Sequence, residues 1–193
     1  IPLIMTVWMS LYHWPLLGRK KFIGLENYVE LMGDTQLWNS LGFTLLYTVL
    51  VTAAILLVAF PLALLVDRPL RSASFFRTVY FMPVVTGFGA ASTLWMWLLN
   101  PDSGVFSRLL LGLGLVDSAP RPLENFWPAL AVIILMVVWK TAGFTMVILL
   151  TGLQSISPDV VEAAKIDGAS VFSRFRRITL PLMRNSLLLA LIL

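Results

Sequence analysis

TQLWNSLGFTLLYTVLVTAAILLVAFPLALLV, from Thr35 to Val66, runs without one charged side chain. A helix crosses the hydrocarbon core of a bilayer in roughly 20 mostly apolar residues, and this run is longer than that. Two more runs repeat the pattern. Thr78 to Pro101 carries no charge, and Asn125 to Pro158 carries only Lys140. Lipid offers the backbone no hydrogen-bond partners, so only helices and closed barrels span it. Runs this long and continuous are helices, because barrel strands are short and alternate. The composition agrees, with 59% hydrophobic residues, 12% charged and a mean hydropathy of +0.88. The expected class is an all-α, polytopic membrane protein.

Working outward, the expected spans lie near residues 39–66, 73–99 and 128–153, with a partial helix at 1–17 and another starting near 182. Pro61 and Pro83 fall inside spans and are expected to kink them. Residues 18–38 and 100–127, rich in Gly, Pro, Asn and Asp, read as loops with short helical turns. Asp67-Arg68-Pro69-Leu70-Arg71 reads as a tight basic turn. The chain begins and ends in apolar sequence and is expected to be a fragment. The segment 1–17 lacks a basic leader and a small-residue cleavage site, which argues against a signal peptide.

If the spans alternate, basic residues 68, 71, 77, 165, 174, 176, 177 and 184 share one side, and 19, 20, 21, 108 and 121 the other. The positive-inside rule then puts residues 154–184 in the cytoplasm, with the Arg19-Lys20-Lys21 cluster pulling the other way. Trp14, Trp38, Trp95, Trp97 and Trp127 fall at the opposite face, where an interfacial aromatic belt belongs. The net charge of +4 and pI near 9.8 come from these flanking charges, not from a nucleic-acid surface. The absence of cysteine excludes disulfides and thiol chemistry within these residues, and the single histidine, His13, has no companion metal ligands.

Charge returns at Glu162-Ala163-Ala164-Lys165-Ile166-Asp167-Gly168-Ala169, between two apolar segments. Ser157 and Pro158 are a helix start, with Asp159 at the positive end of the dipole. The helix is expected to reach about Ile166 and stop at Gly168 in a left-handed conformation. Ala163 and Ala164 keep it thin. A second short helix follows, with Val171, Phe172, Phe175 and Ile178 on its apolar side and Arg174, Arg176 and Arg177 opposite. Leu180-Pro181 is expected to turn the chain back into the membrane. These residues alone leave two readings open: a protrusion seated in a groove of another protein, or an amphipathic loop lying on lipid.

Glu-Ala-Ala, three residues, Gly, nine residues, Ile, one residue and Leu-Pro together resemble the signature loop of permease subunits in binding-protein-dependent ABC importers, the EAA motif. The resemblance covers nearly all the chain and is closest to permeases of the carbohydrate-uptake type, maltose and glycerol-phosphate permeases among them. It includes Phe22-Ile23-Gly24-Leu25-Glu26-Asn27-Tyr28, Phe76-Arg77 with Pro83, Asn100-Pro101 with Gly104, Trp139-Lys140 with Gly143-Phe144, and Gly152-Leu153-Gln154-Ser155-Ile156. It departs at Phe43, where such permeases more often have Asn, and at Asn185, where Pro is common.

The resemblance implies a MetI-like transmembrane domain of a type I importer over residues 1–193, a piece of a six-helix core. It implies that residues 157–181 are the cytoplasmic loop coupling the permease to its ATPase. Glu162, Ala163, Ala164, Asp167, Gly168 and Ala169 would make that coupling surface, framed by Ser157, Pro158, Ile178, Leu180 and Pro181. Glu162 would pair with a basic residue of the ATPase, or with Lys165 one turn on. Arg174, Arg176, Arg177 and Arg184 read as topology anchors. The implied partners are a second homologous permease, two ATPase subunits and an external solute-binding protein, in a bacterial or archaeal plasma membrane. This chain would bind no cofactor, ATP and Mg belonging to the ATPase; it has no Gly-x-x-x-x-Gly-Lys-[Ser/Thr] phosphate loop and is not expected to be an enzyme.

Lys140 lies about twelve residues into the span that starts at Pro128, some ~18 Å deep. A charge there costs about 2.5–3.5 kcal/mol, so it must face a polar cavity or a partner. With Trp139, Thr141, Phe144 and Thr145 it is the candidate substrate path, rings and hydroxyls suiting a sugar. A structural pairing with a neighbouring helix or subunit is the competing reading. The main functional alternative is an ion-coupled secondary transporter, which usually carries ionisable residues near the midplane; only Lys140 qualifies. An intramembrane enzyme has no supporting motif or buried carboxylate pair.

Overall fold

Two of the three long apolar runs form unbroken helices in the computed structural model, which describes residues 2–67 and 73–192. Helix α3 covers Thr35–Val66 and α7 covers Phe126–Gln154. Among the described residues these two alone are long and apolar enough to cross a membrane unaided. The chain divides into two compact units, residues 1–48 and 49–193.

In the first unit, α1 (Pro2–Ser10) ends well short of the expected residue 17. Trp14 precedes Pro15, whose ring disfavours a helical residue before it. Residues 12–22 instead form a hairpin of two short antiparallel strands, β1 (Tyr12–His13) and β2 (Lys21–Phe22), which the expected loop did not include. Tyr12 meets Phe22 edge-on at 5.1 Å, and the Lys20 ammonium sits 3.4 Å from the Trp14 ring centroid. Helix α2 (Glu26–Gly33) is fixed to this hairpin by Asn27, whose amide donates to the carbonyls of Ser10 and Tyr12. Asp34 then accepts from the Gln36 amide, and α3 starts there, four residues before the expected boundary.

In the second unit α7 is the central helix. Its Val138, Ala142, Met146, Leu149, Leu150 and Leu153 pack against Ala59, Ala63 and Val66 of α3 and against Met183. Where α7 meets α4 (Ala73–Val85) a small residue brings the backbones together, as in membrane helix pairs generally. A Cβ on Gly143 would lie 1.9 Å from the Tyr80 carbonyl oxygen, so α4 touches α7 main chain to main chain. Helix α3 continues through Pro61. The expected basic turn after Asp67 lies at 68–72, outside the described residues.

The expected single span 73–99 is broken. Helix α4 ends at Val85, α5 runs Phe88–Leu98, and their axes bend by 97° at Thr86-Gly87. Pro83 removes one ladder donor in the last turn of α4, and Gly87 then takes an extended conformation as the start of α5. After α5, Asn100 ties a turn by accepting from the amides of Asp102 and Ser103, leading into α6 (Val105–Gly112). A turn of 3₁₀ helix at Pro122–Glu124 precedes α7, held by the Arg121–Glu124 ion pair at 3.1 Å.

The other correction concerns Leu180-Pro181. The chain does not turn there. From α9 (Val171–Arg174) it passes through a π turn (Phe175–Thr179) into α10 (Leu180–Leu182), and then α11 (Arg184–Ile192). Pro181 has no N–H to give the preceding turn; the widened turn, in which Leu180 donates five residues back to Phe175, absorbs that gap while the helix continues.

Candidate functional site

The segment 157–181 is built as a capped hairpin of short helices. Ser157 lies outside the helical region, at φ −59° and ψ 133°, and its hydroxyl accepts from the Asp159 amide at 3.3 Å, opening α8 (Pro158–Ile166). At the other end Gly168 has φ +75°. Its amide donates to Lys165, and the Ala169 amide reaches back to the Ala164 carbonyl at 3.0 Å. Those two bonds around a left-handed glycine are a Schellman closure, which satisfies carbonyls the helix end would leave bare. Ser170 then caps α9 by accepting from Ser173, and the Arg174 guanidinium donates to the Ala169 carbonyl at 2.8 Å. The turn is thus gripped from both helices. Ser157→Ala removes the N-cap acceptor and is expected to cost about 1 kcal/mol of local stability. Hydrogen exchange of the first amides of α8 should quicken accordingly, with the rest of the chain unchanged.

Burial divides the signature residues. Glu162, Ala163, Asp167 and Gly168 are exposed, while Ala164 is buried and Ala169 half-buried. Only one of the two alanines therefore lies on the outer face; Ala164 lets α8 settle onto its own chain. Among the described residues Glu162 forms no ion pair, so the alternative of a bond to Lys165 is not realised here. The expected apolar stripe of the second helix also splits. Phe175 and Ile178 turn inward, Phe175 meeting Phe60 edge-on at 5.4 Å, whereas Val171 and Phe172 stand 75% and 71% exposed. Ile166, 87% exposed, joins them; nothing in its spacing had marked it. Leu180 is half-buried and Pro181 exposed. Between the hairpin and the ends of α3 and α7 lies a groove of about 1020 Å³, lined by Leu153, Val161, Lys165, Phe172, Phe175 and Ile178 among others.

The second set of candidate residues lies on α7 and does not form one wall. Trp139 and Phe144 are exposed, Thr145 is buried, and Thr141 is half-buried with its hydroxyl donating to the Val137 carbonyl. At about 100° per residue, Trp139 and Phe144 point some ~140° apart. Lys140 is 6% exposed, and its ammonium is already engaged: it donates to the carbonyls of Thr86 at 2.5 Å and Val84 at 3.2 Å. The polar surroundings demanded by a charge at that depth are the backbone of the broken helix pair. Sequence reasoning missed these acceptors because a carbonyl carries no residue identity.

A family model for the inner membrane component of binding-protein-dependent transport systems matches residues 41–193. The chain belongs to this family. The permease is similar over 98% of its length, at 34% identity, to a probable ABC transporter permease protein of Pyrococcus horikoshii. It is 32% identical over its full length to the trehalose/maltose transport system permease protein MalF of Thermococcus litoralis. To the sn-glycerol-3-phosphate transport system permease protein UgpA of Salmonella typhimurium it is 33% identical over 92% of its length. It spans 65%, 65% and 60% of those proteins respectively. Among solved structures, a bacterial ABC transporter involved in alginate import shares the fold with a TM-score of 0.75 at 22% identity, over 98% of the permease and 65% of that chain. A bacterial alginate ABC transporter in complex with an alginate pentasaccharide-bound periplasmic protein gives 0.73 at 26% identity, covering 83% and 56%. The MetI-like membrane fold expected from the sequence is therefore the fold of this chain, helical but for the short β1–β2 hairpin.

Proposed function

We propose that this permease carries a sugar or sugar-like solute inward across the membrane, driven by ATP hydrolysed on separate subunits. The observation that supports this best is the hairpin 157–181: a stiffly capped protrusion whose Glu162 has no ion-pair partner among the described residues and whose Ile166, Val171 and Phe172 are left bare. A charged residue beside uncovered apolar side chains suits a protein groove better than either lipid or water alone. In this reading Glu162, Ala163, Asp167 and Gly168 form the surface seated in the ATPase, and the loop faces the cytoplasm, as its basic flanks favour.

A second homologous permease completes the translocation path, two ATPase subunits hold ATP and Mg, and an external binding protein delivers the solute. ATP binding closes the ATPase pair, the seated hairpins follow, and the helices open outward; hydrolysis resets the inward state. Trp139 and Phe144 are the residues of the candidate path that remain available to a solute or to the second permease. The relatives' named cargoes, trehalose/maltose, sn-glycerol-3-phosphate and alginate, define the substrate class to test. The ion-coupled alternative loses its one intramembrane charge, because Lys140 is occupied by two carbonyls.

The deciding experiment is uptake by the full-length permease reconstituted with its partner subunits and binding protein. Labelled sugar should accumulate only with ATP on the ATPase side, and collapsing ion gradients should leave the rate unchanged. Uptake driven by a sodium or proton gradient without ATP would overturn the importer reading.

A further inference from the structure

We propose that Lys140 is a positioning residue that fixes the angle between the two halves of the broken helix α4–α5. In a continuous helix the carbonyls of Val84 and Thr86 would accept from the amides of Phe88 and Ala90; the 97° bend removes both bonds. The Lys140 ammonium replaces them, donating to both carbonyls where the partial negative charge of the α4 terminus is concentrated. It also reaches the other side of the break, lying 4.5 Å from the ring centroid of Phe88, the first residue of α5. One cation thus binds the end of one half-helix and the beginning of the next.

The neighbouring contacts determine which half is held by it. Helix α4 is pinned to α7 independently, through the main-chain approach at Gly143 and Tyr80. Helix α5 has a weaker hold on α7, a tilted contact of Trp95 with Trp139 at 6.1 Å, and its starting residue Gly87 offers no side-chain cap. Removing the ammonium therefore leaves α4 in place and releases α5. A hydrophobic replacement leaves the carbonyls of half-buried Val84 and Thr86 without this donor, which favours reorientation of the break.

The consequence for transport rests on the importer reading; the geometric claim does not. The full-length permease, assembled with its partner subunits in nanodiscs, is labelled with nitroxides at Val79→Cys on α4 and Met96→Cys on α5. Both positions are exposed, and the 193 residues contain no other cysteine; any outside them is replaced. Double electron–electron resonance should give one narrow distance with lysine present. Lys140→Met should shift or split that distance and slow uptake about tenfold, while the ATPase still copurifies. Lys140→Arg, which keeps a cationic donor, should restore both, and Lys140→Gln, whose neutral and shorter amide can still donate to one carbonyl, should shift the distance less than Met does. An unchanged distance in Lys140→Met overturns the proposal whatever uptake does. So does failure of both neutral variants to assemble, since the lysine would then be needed to build the chain and not to set one angle. Absence of ATP-driven uptake in the unsubstituted assembly sinks the importer reading and leaves the distance result standing.

Discussion

Gly168→Val should cut coupled transport by about tenfold or more while leaving the permease inserted and folded. Gly168 sits at φ +75°, where a β-branched residue is strained by about 1–3 kcal/mol. A Cβ there would meet nothing within 4 Å, so the cost is conformational and no packing is lost. The strain is relieved only by undoing the Schellman closure, which frees the Ala169 amide and the Ala164 carbonyl and lets Arg174 swing away. The relative placement of Glu162 and Phe172 then changes, although neither is touched. Copurification of the ATPase and ATP-driven uptake should each fall by at least tenfold or so, the scale of a coupling free energy of about 1–3 kcal/mol. Membrane insertion and the unfolding temperature should hardly move. Gly168→Asn should retain most of the activity, because Asn enters the left-handed region at small cost. Full coupling in Gly168→Val would show that the hairpin does not depend on its turn.

Gly143→Val is the opposite case, and the larger one for stability. Its backbone is helical and unstrained, but an added Cβ would lie 1.9 Å from the Tyr80 carbonyl oxygen and 2.6 Å from its carbon. Neither neighbour can rotate away, being main chain, so α4 and α7 must separate. Overpacking of this kind costs about 1–3 kcal/mol for modest insertions, and the valine methyls carry it to the upper end or beyond. Gly152→Ala is the milder comparison: its Cβ would approach the Ser186 hydroxyl at 2.6 Å, which can turn, and the Ser186 Cβ at 2.7 Å, so α11 must shift a little, but no main-chain atom is met. In detergent the unfolding midpoint of Gly143→Val should drop well below that of Gly152→Ala. Equal midpoints would mean that the close approach at Tyr80 does not support the second unit.

The helices α3 and α7 were legible because an apolar run of sufficient length, even with the single Lys140 in α7, has no other stable form in lipid. The frame of α8 was legible for a different reason: Ser157, Pro158, Asp159 and Gly168 are local signals, each acting within a few residues. What the sequence hid is non-local or depends on the backbone. The break at Thr86-Gly87 lies inside a run whose hydropathy is indifferent to direction, and Pro83 marks it only three residues early. The partners of Lys140 are 54 and 56 residues away and are carbonyls, so no side-chain pattern points to them. The β1–β2 strands are two residues each, too short for alternation to register. For Val171, Phe172, Phe175 and Ile178 the composition was right, but Phe175 and Ile178 turn inward while Val171 and Phe172, in the first turn after the Gly168 stop, stay outside.

That wide turn has a bearing on everything C-terminal to it. Holding one residue more per turn than its neighbours, it rotates the register of the chain downstream by about 100°. The side of α11 that meets α7 at Gly152 is consequently set by five residues next to the loop, not by α11 itself. Shortening Phe175–Thr179 by a single position would swing Ser186 and Leu187 away from α7 while every side chain stayed chemically the same.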